Sequence, residues 1–465
     1  MNYRLKINRI TIKMKQIISL IVSILVFGSI AKGQVGVLDS YIAEGLENNL
    51  ALKQKEYNYE KSLAALQEAK AMFFPDINLN ARYTWADGGR VIPLPLGDLL
   101  NPVYSTLNML LQTDDFPLIG NAMYPFLREH EHETKISIVQ PIIEPKIYYN
   151  HKISKQLSEI QYTDSEAYRR QLVADIQTAY FNYLKTLRLE ELLADTKSLL
   201  EENVRVNESL FRNDKITIDN VYRSKAELSQ LEQHIAEATK ARQVSMAYFN
   251  FLLNRPFVEE ILEDALYDNT KVTASLEVAS ENALGKREEL AMLEGYLKAN
   301  DYYLNLNQSR IIPSVYGAVD YGYQGPEYRF NDNFDYWIAS FVLKWELFHG
   351  TENRAQIDQA KIGRDNLQTR IEETKNQIRL QVIESYYDLQ ASEKSIVAAD
   401  EALISARKAY EIIDRKYREG QVNLIEYIDA RTTMTNADQN LIINRYDYYI
   451  KYAEFERVAC LHEIK

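Results

Sequence analysis

The sequence predicts a mainly α-helical chain of very long coiled-coil helices that also carries four membrane-type β-strands. Three observations point there. Chain breakers are segregated into a few stretches, apolar residues in the breaker-free spans recur every seven positions, and four short segments between those spans alternate every two. Composition agrees. The 465 residues are 46% hydrophobic, ample for a core, with only 16 glycines and 11 prolines.

Residues 1–33 read as an export leader. Arg4, Lys6, Arg9, Lys13 and Lys15 form a basic start without an acid, and Ile17–Ala31 is a largely apolar run of 15 residues. That run is short of the ~20 residues of a membrane helix and right for a signal sequence. Ala31-Lys32-Gly33 places small residues at the −3 and −1 positions, so cleavage is expected after Gly33. Met14 offers a second start that gives a leader of more usual length. No cysteine lies near the cleavage point, so no lipid anchor is expected there. Removing the leader takes away six basic residues and no acid, which moves the net charge from −12 to −18. No later stretch is apolar for ~18 residues, so a membrane-spanning form of the mature chain must use a β-barrel.

The helices follow from what is missing. Proline is absent from Lys146 to Arg255 and from Glu327 to the C-terminus, and no glycine lies between Gly120 and Gly285. Those spans are rich in Ala, Leu, Glu, Gln, Lys and Arg, which favour helix. Val382, Leu389, Ile396, Leu403, Tyr410 and Tyr417 form a heptad seam, with Ala399, Ala406 and Ile413 three positions after its later members. Residues 146–211 are expected as one helix, roughly 100 Å long at ~1.5 Å per residue.

The strands follow from alternation. In 76–85, Ile77, Leu79, Ala81, Tyr83 and Trp85 alternate with Asp76, Asn78, Asn80, Arg82 and Thr84. In 134–143, Ile136 and Ile138 alternate with Lys135 and Ser137; in 314–323, Val315, Gly317, Val319, Tyr321 and Tyr323 share a face. In 336–347, Trp337, Ala339, Phe341, Leu343, Trp345 and Leu347 share one face, with Ser340, Lys344 and Glu346 opposite beside Ile338 and Val342. Such aromatic-rich apolar faces match lipid-facing barrel strands. The Asp87–Glu133 connection is long for a hairpin and holds five of the prolines, so it is not helical throughout. His130 and His132, interleaved with Glu131 and Glu133, are read as a polar loop; no metal site is expected.

The chain is an internal duplication. Phe74-Pro75-Asp76-Ile77 corresponds to Ile312-Pro313-Ser314-Val315, and Val139–Ile143 to Lys344–Phe348. A shift of 206 positions pairs Ala179–Leu184 with Ser385–Gln390, and Phe211-Arg212-Asn213-Asp214 with Tyr417-Arg418-Glu419-Gly420. Each half reads helix, strand, loop, strand, very long helix, turn, long helix. The joint falls near Asn254–Ser280, giving repeats over 34–270 and 271–465.

These repeats resemble the TolC family of outer-membrane efflux and secretion channels over essentially the whole mature chain. The most specific segment is Tyr417–Thr433 (YREGQVNLIEYIDARTT), with a weaker copy over Phe211–Lys225. The resemblance implies a homotrimer in the outer membrane. Four strands from each chain would form a twelve-stranded barrel, continued by a helical tube across the periplasm. It implies a passive exit duct of a tripartite efflux or type I secretion system, served by a periplasmic adaptor and an inner-membrane pump. It also implies a gate at the periplasmic tip, where Gly420 makes the turn and Glu426 and Asp429 match the acidic constriction positions. Three apart, those two acids share a helix face. Asp219 and Asn220 resemble the family's gate-bonding polar pair, and Tyr417 a hydrogen-bond donor of the gate as well as a heptad core residue. Two departures stand out. Asp214 occupies the first tip turn where glycine is usual, so different capping is expected there. Val422 stands where the best-known members carry arginine, so a closed-state salt bridge from that position is absent.

Other classes fit less well. The acidic balance disfavours nucleic acid as a partner. One cysteine, Cys460, excludes an internal disulfide framework and a multi-cysteine zinc site. No nucleophile elbow, glycine-rich phosphate loop or HExxH is present, so neither an enzyme nor a cofactor is expected. An exported soluble coiled-coil scaffold is the alternative. It explains the heptads and the leader but not a pair of amphipathic strands in both repeats.

Overall fold

The structure is a computed structural model that describes residues 36–263 and 274–461. The expected leader, the 270/271 repeat boundary and part of the joint lie outside the described residues. Helices α1 (Val37–Asn48) and α2 (Leu50–Ala71) lead into β1 (Asp76–Trp85). Between β1 and β4 (His130–Ile143) come β2 (Val91–Leu94), α3 (Leu96–Leu111) and β3 (Ala122–Pro125). The long helices α4 (Pro145–Arg212) and α5 (Ile218–Leu252) follow. The order then repeats as α6 (Leu276–Lys286), α7 (Glu288–Gln308), β5 (Ser314–Gly325), β6 (Asp335–Lys344), α8 (Glu352–Arg418) and α9 (Leu424–Val458).

The long helices match their expectation. α4 has 68 residues and α8 has 67, each roughly 100 Å at ~1.5 Å per residue. Pro145 opens α4, the position where a missing N–H costs nothing. Two strand expectations are corrected. His130 and His132 are not in a loop, because β4 starts at His130 and both pair with neighbouring strands. Trp345 and Leu347 lie beyond β6, whose pairing ends at Lys344. The 87–133 connection holds a 16-residue helix, α3, with Pro102 inside it.

The chain divides into two compact units. A strand unit comprises Lys61–Ser158 and Gly295–Leu367. Its main sheet is antiparallel in the order β1-β4-β5-β6, so β1 and β6 are free edges among the described residues; β2 and β3 pair separately. A helical unit comprises the chain up to Glu60, Glu159–Glu294, and the chain from Gln368 on. Each unit draws on both sequence halves.

The helical unit has two cores. One contains Leu172, Ile176, Tyr183, Phe249, Leu252 and Leu253. The other contains Ile378, Val382, Leu389, Phe455, Val458 and Ala459, each 206 positions later. The shift that relates the sequences therefore also relates the buried contacts. Asn49 separates α1 from α2 and caps the latter: its Oδ1 accepts from Leu52 N (2.9 Å) while its Nδ2 donates to Leu252 O (2.8 Å). Arg170 forks onto Glu288 from α4 to α7, Nη2 to Oε1 at 2.8 Å.

Candidate functional site: the two-faced sheet and the helical turns

In the strand unit, register fixes which residues share a face, since side chains alternate along every strand. One row across the sheet is Leu79, Ile136, Tyr321 and Trp337, and the next is Ile77, Ile138, Val319 and Ala339. This face is apolar and uncovered: Leu79 is 73%, Trp337 72% and Phe341 84% exposed. Burying such side chains is worth ~1.5–3 kcal/mol each, so an uncovered face of this size requires an apolar surrounding.

The opposite face is charged. Lys135 Nζ on β4 meets Asp320 Oδ2 on β5 at 2.8 Å and Glu133 Oε1 at 3.7 Å. Arg82 on β1 reaches Glu133 at 3.4 Å, and Tyr336 on β6 donates to Glu133 Oε1 at 2.6 Å. This belt joins all four strands. Gly322 makes room for it, because a Cβ there would lie 2.5 Å from Lys135 Cβ and from Thr134 O. A sheet with one bare apolar face, one ion-paired face and two open edges has the alternation of a membrane barrel wall. Among the described residues, no helix is long and apolar enough to cross a membrane.

The helical unit carries the two turns singled out by the sequence. Gly420 links α8 to α9 at φ +74°, and Asp214 links α4 to α5 at φ +58°. Both turns close alike, Gln421 N to Lys416 O at 2.8 Å and Lys215 N to Leu210 O at 2.9 Å. The expectation of different capping at Asp214 is thus corrected: Asp tolerates the left-handed region, and the backbone pattern is unchanged. The difference lies at the next helix. Asn423 caps α9, accepting from Glu426 N at 2.9 Å and donating from Nδ2 to Glu426 Oε1 at 2.8 Å. Thr217 Oγ1 accepts from no backbone N–H of α5.

Glu426 and Asp429 are both exposed near the start of α9. Glu426 is the acid of a capping pair at a helix N-terminus. Asp219 is exposed, 4.0 Å from Arg223, and Asn220 donates to Thr217 Oγ1 at 3.4 Å. Tyr417 bonds neither of them. Its hydroxyl donates to Asn207 Oδ1 at 2.5 Å, and Asn207 is fully buried. Tyr417 also stacks on Tyr427 at 4.8 Å, and burial raises both phenol pKa values. Val422 packs into the cluster of Tyr417, Leu424 and Tyr427.

One ion pair was not foreseen. Arg431 Nη2 on α9 meets Glu227 Oε2 on α5 at 2.8 Å, and the arginine side chain is only 6% exposed. Its Nε is buried without a partner among the described residues, at the wall of a cavity of about 640 Å³. Asn207, Glu227 and Arg431 are long-range partners with no local signature. Of the belt residues, Arg82 and Lys135 occupy polar positions of the alternation visible in the sequence, whereas Glu133 lies where the sequence predicts a loop. No group of three or more metal-ligating side chains occurs among the described residues.

Comparison with known proteins places this architecture. Residues 279–459 match the family described as outer membrane efflux protein. Outer membrane protein TolC of Escherichia coli is 19% identical, over 94% of this chain and 85% of that protein. The probable efflux pump outer membrane protein TtgC of Pseudomonas putida is 20% identical, over 61% of this chain and 60% of that protein. Among solved structures, the Campylobacter jejuni CmeC outer membrane channel superposes with a TM-score of 0.76 at 15% identity, covering 91% of this chain and 85% of that one. The outer membrane protein VceC of Vibrio cholerae gives 0.73 at 15% identity, covering 91% and 95%. At these identities the likeness to solved structures is one of fold.

Proposed function

We propose that this chain, which belongs to the TolC family of outer-membrane efflux channels, is the passive outer-membrane exit duct of a tripartite efflux or type I secretion system. The observation that carries the reading is the two-faced sheet. Its bare face of Leu79, Ile136, Tyr321 and Trp337 suits lipid, and its belt of Arg82, Glu133, Lys135 and Asp320 suits a watery lumen. Four strands with two open edges do not close, and an open edge is not tolerated in a bilayer. Three copies supply the twelve strands of a closed barrel, and they make the duct a homotrimer with two repeats, 34–270 and 271–465, in each chain. Glu426 and Asp429 then form a ring of like charge at the periplasmic end. Tyr417, Gly420, Asp219 and Asn220 belong to the turns that open and close it. A periplasmic adaptor and an inner-membrane pump supply energy and cargo choice, and the duct itself carries out no chemistry.

Purified protein in a planar bilayer tests this. A folded, helical, trimeric protein is expected to give a small cation-selective conductance, with trimers that dissociate on heating in detergent. Protein that is extracted without detergent, stays folded and gives no pore would point instead to an exported scaffold.

A further inference from the structure

The connection between β1 and β4 folds as a lobe turned inside out. From Val91 to Leu127 it contains no Lys, Arg, Glu or His, and its only charges are Asp98, Asp114 and Asp115. Helix α3 turns its asparagines inward. Asn101 Nδ2 donates to Ile119 O and its Oδ1 accepts from Ile119 N, both at 2.9 Å. Asn108 binds Phe116 the same way, at 2.8 and 3.1 Å, and Asn121 Nδ2 donates to Asp98 Oδ2 at 3.0 Å. The polar face of the helix is thereby spent on the returning chain. Outward point Leu99, Met109, Leu110, Leu118, Met123 and Phe126, each 62–72% exposed. An apolar exterior around a hydrogen-bonded polar interior is stable only when something apolar covers it.

We propose that the cover is the same lobe of neighbouring copies, so that three lobes pack together across the outer mouth of the barrel. This rests on the trimeric reading. The lobe hangs from β1, a free edge of the sheet, where the next copy must join. Helices α2, α4, α7 and α8 join the sheet at its other end, so the lobe stands at the end opposite them, which in the trimeric reading is the outer mouth of the barrel. A membrane surface is the poorer cover. Helices that lie on membranes present Lys and Arg on their polar face, and α3 has neither. Depletion of charge with exposed Leu, Met and Phe is the pattern of an interface core, and a three-fold ring lets one patch serve every copy.

The test is cysteine cross-linking of the full-length protein in detergent and in vesicles, beside native mass measurement. The wild type is the blank, since Cys460 is buried. With Leu110→Cys, a short bis-maleimide is expected to give covalent dimers and trimers, and deletion of 91–127 is expected to raise single-channel conductance by about twofold or more. Trimeric protein whose Leu110→Cys reacts only with monofunctional maleimide overturns the proposal. So does a fluorophore at that position quenched by brominated lipid, which would place the lobe on the bilayer. Protein that is not trimeric would instead overturn the assembly reading on which the proposal stands.

Discussion

Tyr417 and Asn207 are 210 residues apart and meet through a single buried hydrogen bond between α8 and α4. Asn207 is held at both ends of its amide, because its Nδ2 also donates to Asn203 Oδ1 at 3.0 Å. The bond ties the two helical hairpins close to their turns, where Val422 offers no charge.

Asn207→Ala leaves the Tyr417 hydroxyl buried without an acceptor, and is expected to destabilise the helical unit by about 1–3 kcal/mol. Tyr417→Phe should cost less, since it breaks this bond alone and leaves only a carbonyl oxygen unpaired, whereas Asn207→Ala also removes the bond to Asn203. Thermal unfolding followed by circular dichroism decides. Equal losses from the two variants would show that ring packing, not the bond, matters.

Breaking the Arg431–Glu227 pair should have an asymmetric effect. Arg431→Met removes the cation and leaves Glu227, 32% exposed, partly solvated; Glu227→Gln leaves the guanidinium 6% exposed and uncompensated. The second should therefore be worse, by about 1–2 kcal/mol, less than the 3–5 kcal/mol of a fully buried pair. If the pair also holds the tip shut, both variants open more often in single-channel records. Unchanged open probability would leave it a purely structural tie.

The proposed acidic ring of Glu426 and Asp429 is best tested without disturbing the cap. Glu426→Gln keeps a side chain able to pair with Asn423, so the Glu426→Gln/Asp429→Asn double variant removes charge alone. Cation selectivity and block by multivalent cations should both fall, because crowded carboxylates attract cations. Selectivity equal to wild type would move the constriction elsewhere.

Alkaline pH should weaken the helical unit. Burial raises the phenol pKa of Tyr417, Tyr427, Tyr446 and Tyr452 above the ordinary 10.0. Between the unfolded and folded values the native state binds more protons, so stability is complete below about pH 10 and declines as pH rises beyond it. Melting temperature measured from pH 8 upward should stay flat and then drop. Tyr427→Phe and Tyr452→Phe should blunt the drop, and an unchanged slope would rule these groups out.

The sequence showed its regular parts clearly. Alternation located β1 to the residue, the absence of proline outlined α4, and the 206-residue shift carried through to the paired cores of Ile176 and Val382. It hid what depends on long-range fit. The inward Asn101 and Asn108 and outward Leu110 of α3 reverse the usual burial pattern, so the apolar residues of this connection could be seen in the sequence but not which way they face. The partner of Tyr417 proved to be Asn207, thirteen positions before Asn220, because the depth at which two coiled-coil hairpins meet is set by packing along both helices. Arg431 and Glu227 looked like two ordinary charged positions on separate helices.

The free edges of β1 and β6 also carry a genetic consequence. If three copies close one barrel as proposed, and a β1 that pairs poorly is expressed beside the sound chain, the share of fully sound ducts falls as the cube of the sound fraction, since one bad seam spoils a three-part ring. Edge lesions should therefore be dominant, whereas lesions inside the cores, which unfold a chain before it meets its partners, should be recessive.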